Sequence, residues 1–454
     1  MKIVIVGAGE VGFHIASRLA NESKDVVVID KDENALRRVS ENLDVQVIRG
    51  SGSSPSVLED AGIKAANILL AVTDSDEANL VACLVANIVS PTTKKLARIR
   101  NADYDNYHDH FREFAPHIDT IINPEIEVVK TIERLIQVPG ALDVAEFAEG
   151  RLQLIGMRIE KGSELNGLKL ADFGSRFGDK APLVAGVVRE EQMIVPRGSD
   201  RMMAGDIVYF ISEKNKLSGV LSLFGKEQRP LKRAIIVGGG RIGIRLANLL
   251  EAKSIHTKII EQSQKKCRYL ADRMNKTVIL HGDGSDQSLL QEENIQDTDV
   301  LVTLTNDEET NILVSLLAKR MGVGNTITKI GKFSYLPLMG TIGLEQVVSP
   351  RLSAIDSILQ HIRKGKVLSA ISLHGEQAEV IEALALPTSE IVGKPLMKVS
   401  FPKGSLLIGI LRKDDVIIPS GKTIIEPDDR IIIFALREAV PKIEKLLTVK
   451  LEFF

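Results

Sequence analysis

The sequence predicts an α/β protein: two tandem Rossmann-like, doubly wound parallel sheets, each followed by a small α+β domain. Three observations predict it. A glycine signature occurs twice, as Gly7-Ala8-Gly9-Glu10-Val11-Gly12 after the apolar run Ile3 to Val6, and as Gly238-Gly239-Gly240-Arg241-Ile242-Gly243 after Ala234 to Val237. An acid follows each copy at the same remove, Asp30 and Glu261, so the separation is 231 residues both for the first glycines (7 to 238) and for the acids (30 to 261). Strand and helix patterns alternate beyond each copy, then give way to short strands broken by Gly and Pro. A lone G-x-G-x-x-G is weak evidence; two copies in register, each with its strand and its acid, are strong.

Val4-Ile5-Val6 reads as a buried parallel strand and Val11 to Leu19 as the helix it feeds. Gly7 permits the tight turn, Gly9 lets the backbone approach a pyrophosphate, and Gly12 lets helix and strand pack closely. The phosphates then sit on the helix N-terminus, where free N–H groups favour negative charge. Val26 to Ile29 forms the second strand, closed by Asp30, whose carboxylate is expected to accept both hydroxyls of an adenosine ribose. A carboxylate there repels a 2′-phosphate, so NAD(H) or adenine nucleotides fit better than NADP.

The likeness between halves continues past the glycines. Val47-Ile48-Arg49-Gly50-Ser51-Gly52-Ser53 lines up with Ile279-Leu280-His281-Gly282-Asp283-Gly284-Ser285. The strand Ile68 to Val72 ends in Thr73-Asp74-Ser75-Asp76-Glu77 and opens a helix, Asn79 to Ile88; its counterpart Val300 to Leu304 ends in Thr305-Asn306-Asp307-Glu308 and opens Asn311 to Arg320. Thr73-Asp74 and Thr305-Asn306 therefore stand at the carboxyl ends of strands, the edge where such sheets bind ligands. Plain helix N-capping is their alternative role.

The Ala97-Arg98-Ile99-Arg100 strand meets Thr328-Lys329-Ile330-Gly331, so Arg98 has Lys329 as its nearest equivalent. A lysine is a point charge and lacks the planar fork of arginine. Arg241 occupies the second loop where the first has Glu10. A cation there favours a polyphosphate such as ATP and an anion disfavours one; a solvent-facing Arg241 is the alternative. On either count the two sites are expected to differ in nucleotide preference.

Between and after the nucleotide blocks lie segments of another character. Arg151 to Ile159 alternates as a strand does, and Val184 to Val188, Met193 to Val195 and Asp206 to Ile211 continue as short strands. Val392-Gly393-Lys394-Pro395, Leu406 to Arg412, Val416 to Ser420 and Arg430 to Ala435 repeat the scheme, with Gly205-Asp206 and Asp428-Asp429 each preceding a final strand. The expected blocks are 1–123 and 232–348 for nucleotide binding, with 143–227 and 368–453 as the small domains. Lys226 to Arg233, charged and carrying Pro230, links the halves.

At 454 residues the chain is too long for one core. Lys+Arg 58 against Asp+Glu 60 is a balanced charge, which argues against nucleic acid as a partner. Cys83 and Cys267 are too few for a disulfide framework and read as reduced thiols. No apolar stretch approaches the roughly 18 residues of a membrane span. Met1-Lys2 enters a strand at once, with no room for a leader. A cytoplasmic protein is the expectation, reaching any membrane through a partner.

Two other chemistries fit the sequence less well. A dehydrogenase needs a proton donor and acceptor beside the nicotinamide, yet Ala141 to Glu227 holds no His or Cys, the second small block has only His374, and no Tyr-x-x-x-Lys occurs. That NAD-dependent enzyme is the alternative function. His108, His110 and His117 cluster in a polar stretch, but their spacing fits no zinc pattern. A plain assembly scaffold with a structural nucleotide is the third class.

The order of blocks resembles the tandem RCK-domain family, which regulates potassium conductance. The residues carrying the likeness are Gly7 to Gly12, Asp30, Gly50-Ser51-Gly52, Thr73-Asp74, Arg98 and Asn123-Pro124-Glu125, then Gly238 to Gly243, Glu261, Gly282-Asp283-Gly284, Thr305-Asn306 and Ser349-Pro350-Arg351. It covers essentially the whole chain. The resemblance implies NAD(H) and ATP or ADP at both glycine loops. It implies a homo-oligomer, expected as a tetramer, forming a ring attached peripherally beneath a membrane potassium translocator of the TrkH or TrkG type. It implies no catalysis and no metal. Glu261 departs from the usual Asp; its extra methylene shifts where ribose hydroxyls lie.

Overall fold

A computed structural model describes residues 1–228, 230–362, 367–375 and 377–447. Residue 229 of the expected linker and residues 448–453 of the second small block lie outside the described residues. Six strands, β1 (Lys2–Val6), β2 (Asp25–Asp30), β3 (Gln46–Arg49), β4 (Ile68–Ala71), β5 (Lys94–Arg98) and β6 (Thr120–Ile122), form a parallel sheet in the order β3-β2-β1-β4-β5-β6. A five-stranded antiparallel sheet follows: β7 (Ala141–Phe147), β8 (Leu152–Arg158), β9 (Leu183–Arg189), β10 (Gln192–Ile194) and β11 (Ile207–Glu213), ordered β10-β9-β11-β8-β7.

The second half repeats both. Strands β12 (Arg233–Val237), β13 (His256–Glu261), β14 (Val278–His281), β15 (Val300–Thr303), β16 (Thr326–Lys329) and β17 (Gln346–Val348) order as β14-β13-β12-β15-β16-β17. Strands β18 (Val367–Leu373), β19 (Ala378–Leu384), β20 (Ser405–Arg412), β21 (Asp415–Ile417) and β22 (Arg430–Leu436) order as β18-β19-β22-β20-β21. In both parallel sheets the strand order reverses between the first and fourth strands. That is the switch point where such folds leave a crevice for ligands.

The strands form where they do because their side chains are apolar on both faces. Residues 3–6 and 26–29 are buried throughout, as a sheet covered by helices on both sides requires. In the small sheets Arg189 donates to Asp206 from Nε and Nη2 at 2.9 and 2.6 Å, and Arg412 does the same to Asp429 at 2.9 and 2.8 Å. These bidentate pairs tie β9 to the turn before β11, and β20 to the turn before β22. They explain the Gly205-Asp206 and Asp428-Asp429 landmarks.

Several expectations need correction. Val392 to Pro395 is no strand; it makes only isolated bridges, Val392 with Ile425 and Pro395 with Ile424. Strand β21 stops at Ile417, short of Pro419, which lacks the N–H a ladder needs. Strands β5 and β16 start earlier than expected and end at Arg98 and Lys329, two residues sooner. Among the strands that the sequence patterns do not single out are β6, β7, β13, β17, β18 and β19. The helices after β4 and β15 start three residues early, at Asp76 and Glu308, because Ser75 and Asp307 cap them by accepting from Ala78 N and Thr310 N. Neither Thr73-Asp74 nor Thr305-Asn306 supplies the cap.

The chain divides into two compact units, Met1–Glu127 with Pro350–Ile362, and Val128–Ser349 with Arg363–Phe454. In the first, the helix Pro350–Ile362 packs on the helix Glu10–Asn21. It buries Ala354, Ile355, Ile358, Leu359 and Ile362, a stripe of helical period. In the second, Val128, Ile132 and Leu135 of the helix Pro124–Gln137 share a core with Ile236, Ile242 and Leu246 of the second parallel sheet and its helix. There too the small sheets share a core, in which Phe147 and Tyr209 join Val380, Ile408 and Phe434.

Candidate functional site

Each candidate site is built at the carboxyl edge of a parallel sheet. Gly7 and Gly238 end their strands at φ +114° and +109°, a region that favours glycine, and turn the chain into the loop. A Cβ on Gly12 would lie 1.8 Å from the Gly7 carbonyl oxygen, and one on Gly243 2.2 Å from that of Gly238. Only glycine lets helix and loop approach so closely. By contrast a Cβ on Gly9 or Gly240 would meet nothing within 4 Å, so these backbones face open space. Gly9 and Gly240 also cap their helices without any side-chain hydrogen bond. A helix start presents four amides with no partner within the helix, and a glycine cap has no side chain to take one. A phosphate is an acceptor suited to such a helix start.

Asp30 and Glu261 do the same work in the two halves. Asp30 accepts from Ala8 N at 2.5 Å and from Asp32 N at 2.9 Å; Glu261 accepts from Gly239 N at 3.0 Å and from Ser263 N at 2.9 Å. Each carboxylate clamps its glycine loop to the end of the second strand. Each oxygen keeps acceptor capacity for a ribose hydroxyl. Glu261 is the more enclosed, 8% exposed, and its carbonyl accepts from the Cys267 thiol at 3.3 Å. The longer side chain is accommodated by folding inward under Gly239.

The remaining expected residues fall into two kinds. Gly52 and Gly284 are packing positions, since a Cβ there would strike Val6 Cγ1 at 2.1 Å and Val237 Cγ1 at 2.3 Å. Ala8, Val11 and Ile242 are buried beneath the loops. Ser51 Oγ accepts from Ser53 N at 3.3 Å. Asp283 is exposed and accepts from Ser285 N at 2.8 Å and Ser285 Oγ at 2.7 Å, which holds its carboxyl below the usual range.

Thr73 and Thr305 are gripped by asparagines that sequence reasoning missed. Asn79 and Asn311 are fully buried. The Asn79 amide oxygen accepts from Thr73 N at 2.9 Å and Thr73 Oγ1 at 2.7 Å, while its Nδ2 donates to Thr73 O at 3.2 Å and Arg98 O at 2.8 Å. Asn311 repeats this with Thr305 and with Lys329 O at 3.1 Å. One amide thus ties together the ends of two neighbouring strands. The signal was available as the repeated Thr-x-x-x-x-x-Asn spacing. The Asn79 bond to Arg98 O and the Asn311 bond to Lys329 O also make Arg98 and Lys329 equivalent positions of the two repeats.

Charge distinguishes the first crevice. Arg98, nearly buried, turns its guanidinium to Thr73 O at 2.8 Å and Asp74 Oδ1 at 2.9 Å, while the Asp74 carboxylate is fully exposed. Glu10 does not stand alone beside its loop. It accepts from Arg38 Nη1 at 2.5 Å and has Arg351 Nη1 at 4.0 Å and His14 Nε2 at 3.8 Å. Burial pushes its carboxyl up, but Arg38, Arg351 and His14 outweigh that and hold it below its ordinary range. Arg38 also lies over the Phe13 ring, 4.5 Å from its centroid. The expected anion at the first loop is therefore largely neutralised by its surroundings. Arg241 is an exposed residue of the second loop.

Comparison with known proteins agrees with this architecture. The TrkA-N domain model matches residues 3–124 and 234–350, and the TrkA-C domain model matches 154–225 and 380–448. The Trk system potassium uptake protein TrkA of Halomonas elongata is 38% identical, covering 100% of both chains. That of Haemophilus influenzae is 37% identical over 98% of both. Among solved structures, the GsuK channel bound to NAD superposes with TM-score 0.60 at 18% identity, covering 98% of this chain and 78% of that one. The GsuK RCK domain gives 0.59 at 19%, covering 98% and 94%.

Proposed function

The chain belongs to the TrkA family of Trk-system potassium uptake proteins, and from that premise we propose that it is a nucleotide-binding regulatory subunit. In this reading it binds NAD(H) and ATP or ADP at its two crevices and controls a membrane potassium translocator of the TrkH or TrkG type from the cytoplasmic face. The observation that carries it is the pair of glycine loops that lead into helix N-termini without a side-chain cap, each loop clamped by a carboxylate at the end of the second strand. NAD is also what the GsuK channel of the same fold is described as holding. No turnover is assigned; the crevice residues bind and orient.

The duplication has an energetic reason. One effector site couples to a distant equilibrium by about 1–3 kcal/mol, whereas moving a gate from mostly closed to mostly open takes about 5.5 kcal/mol. A homo-oligomer with two crevices per chain reaches that by summation, and a tetramer is the size we assign. The test is potassium flux through the reconstituted translocator under NADH, ATP and ADP in turn, with wild type and Asp30→Ala. Asp30→Ala is expected to weaken NADH binding by about 1–3 kcal/mol and to blunt the flux response. Flux indifferent to every nucleotide, or a monomer by light scattering, overturns the reading.

The two crevices are proposed to differ, the first preferring NAD(H) and the second ATP. Replacing Glu10 by Arg removes the carboxylate that faces Arg38 and Arg351 and puts a third cation beside the loop. Glu10→Arg with Arg241→Glu is expected to move ATP preference to the first half, read by calorimetry. An unchanged ATP-to-NADH ratio at both sites removes the idea.

A further inference from the structure

The second parallel sheet carries a cleft of about 260 Å³ at its amino edge, opposite the glycine loop, which the proposed regulation does not use. Its walls include Arg233 at the start of β12, His256 and Lys258 on β13, and Lys276 just before β14. Strand register puts the first three on one face. Arg233 pairs with His256, and Lys258 pairs with both Ile235 and Val278, so residues 233, 235, 256, 258 and 278 point the same way by alternation, with Lys276 in the bend that leads into β14. The opposite wall, residues 293–298, brings Glu293, Asp297 and Thr298. Lys258 Nζ donates to Glu293 Oε2 at 2.7 Å and to Glu293 O at 3.1 Å, which neutralises that carboxylate. Asp297 is then the one other acid of the lining, against Arg233, Lys276 and the His256 imidazole.

The first half shows that the fold does not require this basic edge. In the same register, where Lys2 pairs with Asp25 and Val27 with Gln46, the places of His256 and Lys258 are taken by Asp25 and Val27. Asp44, two residues before Gln46, stands where Lys276 does. Val27 is fully buried. Lys2 stands where Arg233 does, so the two repeats share that cation and differ in carrying Asp25, Val27 and Asp44 in the first where the second has His256, Lys258 and Lys276.

We propose that this cleft binds a small multivalent oxyanion, of the diphosphate or tricarboxylate kind, separate from the nucleotide crevices. Arg233 on β12, the His256 imidazole on β13 and Lys276 beside β14 suit a compact ligand with several anionic oxygens, and Thr298 adds a hydroxyl to the lining. The test uses the full chain with ATP and NADH present in excess to fill the glycine loops. Inorganic pyrophosphate and, separately, citrate are titrated in by calorimetry at low ionic strength. Saturable binding of at least one, with one site per chain, is expected. Arg233→Glu with Lys276→Glu, both on exposed side chains, is expected to weaken it by about tenfold or more while ATP affinity stays as in wild type. Which anion binds identifies the source of the oxyanion. No saturable binding of either, binding abolished by excess ATP, or binding untouched by the double substitution overturns the proposal. ATP and NADH affinities are first read by separate titrations of the same preparations without the anions, so a failure of the nucleotide assignment is seen separately.

Discussion

Gly12→Ala is expected to lower the stability of the first half by about 3 kcal/mol or more and to abolish NADH binding there. Its Cβ would lie 1.8 Å from the Gly7 carbonyl oxygen and 2.9 Å from the Gly7 carbonyl carbon. Backbone cannot rotate away as a flexible side chain can, so the helix must lift off the loop. Gly243→Ala, at 2.2 Å from its counterpart oxygen, should act the same way on the second half with a smaller loss. Gly9→Ala supplies the contrast. Its Cβ meets nothing within 4 Å, so the fold should be untouched, while the methyl group stands where the phosphates approach. Calorimetric unfolding together with NADH titration separates the cases. A Gly9→Ala protein that binds NADH as wild type does would remove the phosphate from this loop; a Gly12→Ala protein of wild-type stability would refute the packing argument.

Asn79→Ala is expected to cost about 3–4 kcal/mol and to release the Thr73-Asp74 loop. The substitution strips partners from Thr73 N and Arg98 O and removes one of the two donors to Thr73 O, which keeps the Arg98 guanidinium, around a side chain that is itself fully buried. Each buried backbone group left unpaired costs about 1–3 kcal/mol, less whatever water recovers. Asn79→Asp is the sharper probe. It keeps the two acceptor bonds from Thr73 but loses both donor bonds and buries a charge, so it should be no milder than alanine. Asn311→Ala should reproduce the effect in the second half. Hydrogen exchange at Thr73 and Thr305 reads the loops directly; protection unchanged in both variants would show that the asparagines do not hold them.

Much of this was legible before any coordinates. The paired glycine signatures, their acids and the alternating strands set the fold class, because a pyrophosphate-binding turn leaves few residue choices and a buried parallel strand shows as an apolar run. Gly7 and Gly12 could be given their turning and packing roles from spacing alone. The small sheets were harder. Strands β18 and β19 mix Ser and Glu with apolar residues, and Glu379 and Glu382 are buried there all the same, so polarity hid them.

Sequence by itself determined the tandem plan and the positions of both glycine loops with their acids, since these rest on local geometry repeated in register. Tertiary structure alone decided the rest. It showed that Glu10 is neutralised by Arg38 and by Arg351, a residue 341 positions later in the chain (10 to 351). It showed that Thr73 is held by Asn79 rather than capping its helix. It placed the helix Pro350–Ile362 on the first unit. The physical reason is common to all three. An apolar stripe or a charge announces that a side chain needs a partner, but the identity of that partner depends on which surfaces the folded chain brings within a few ångströms.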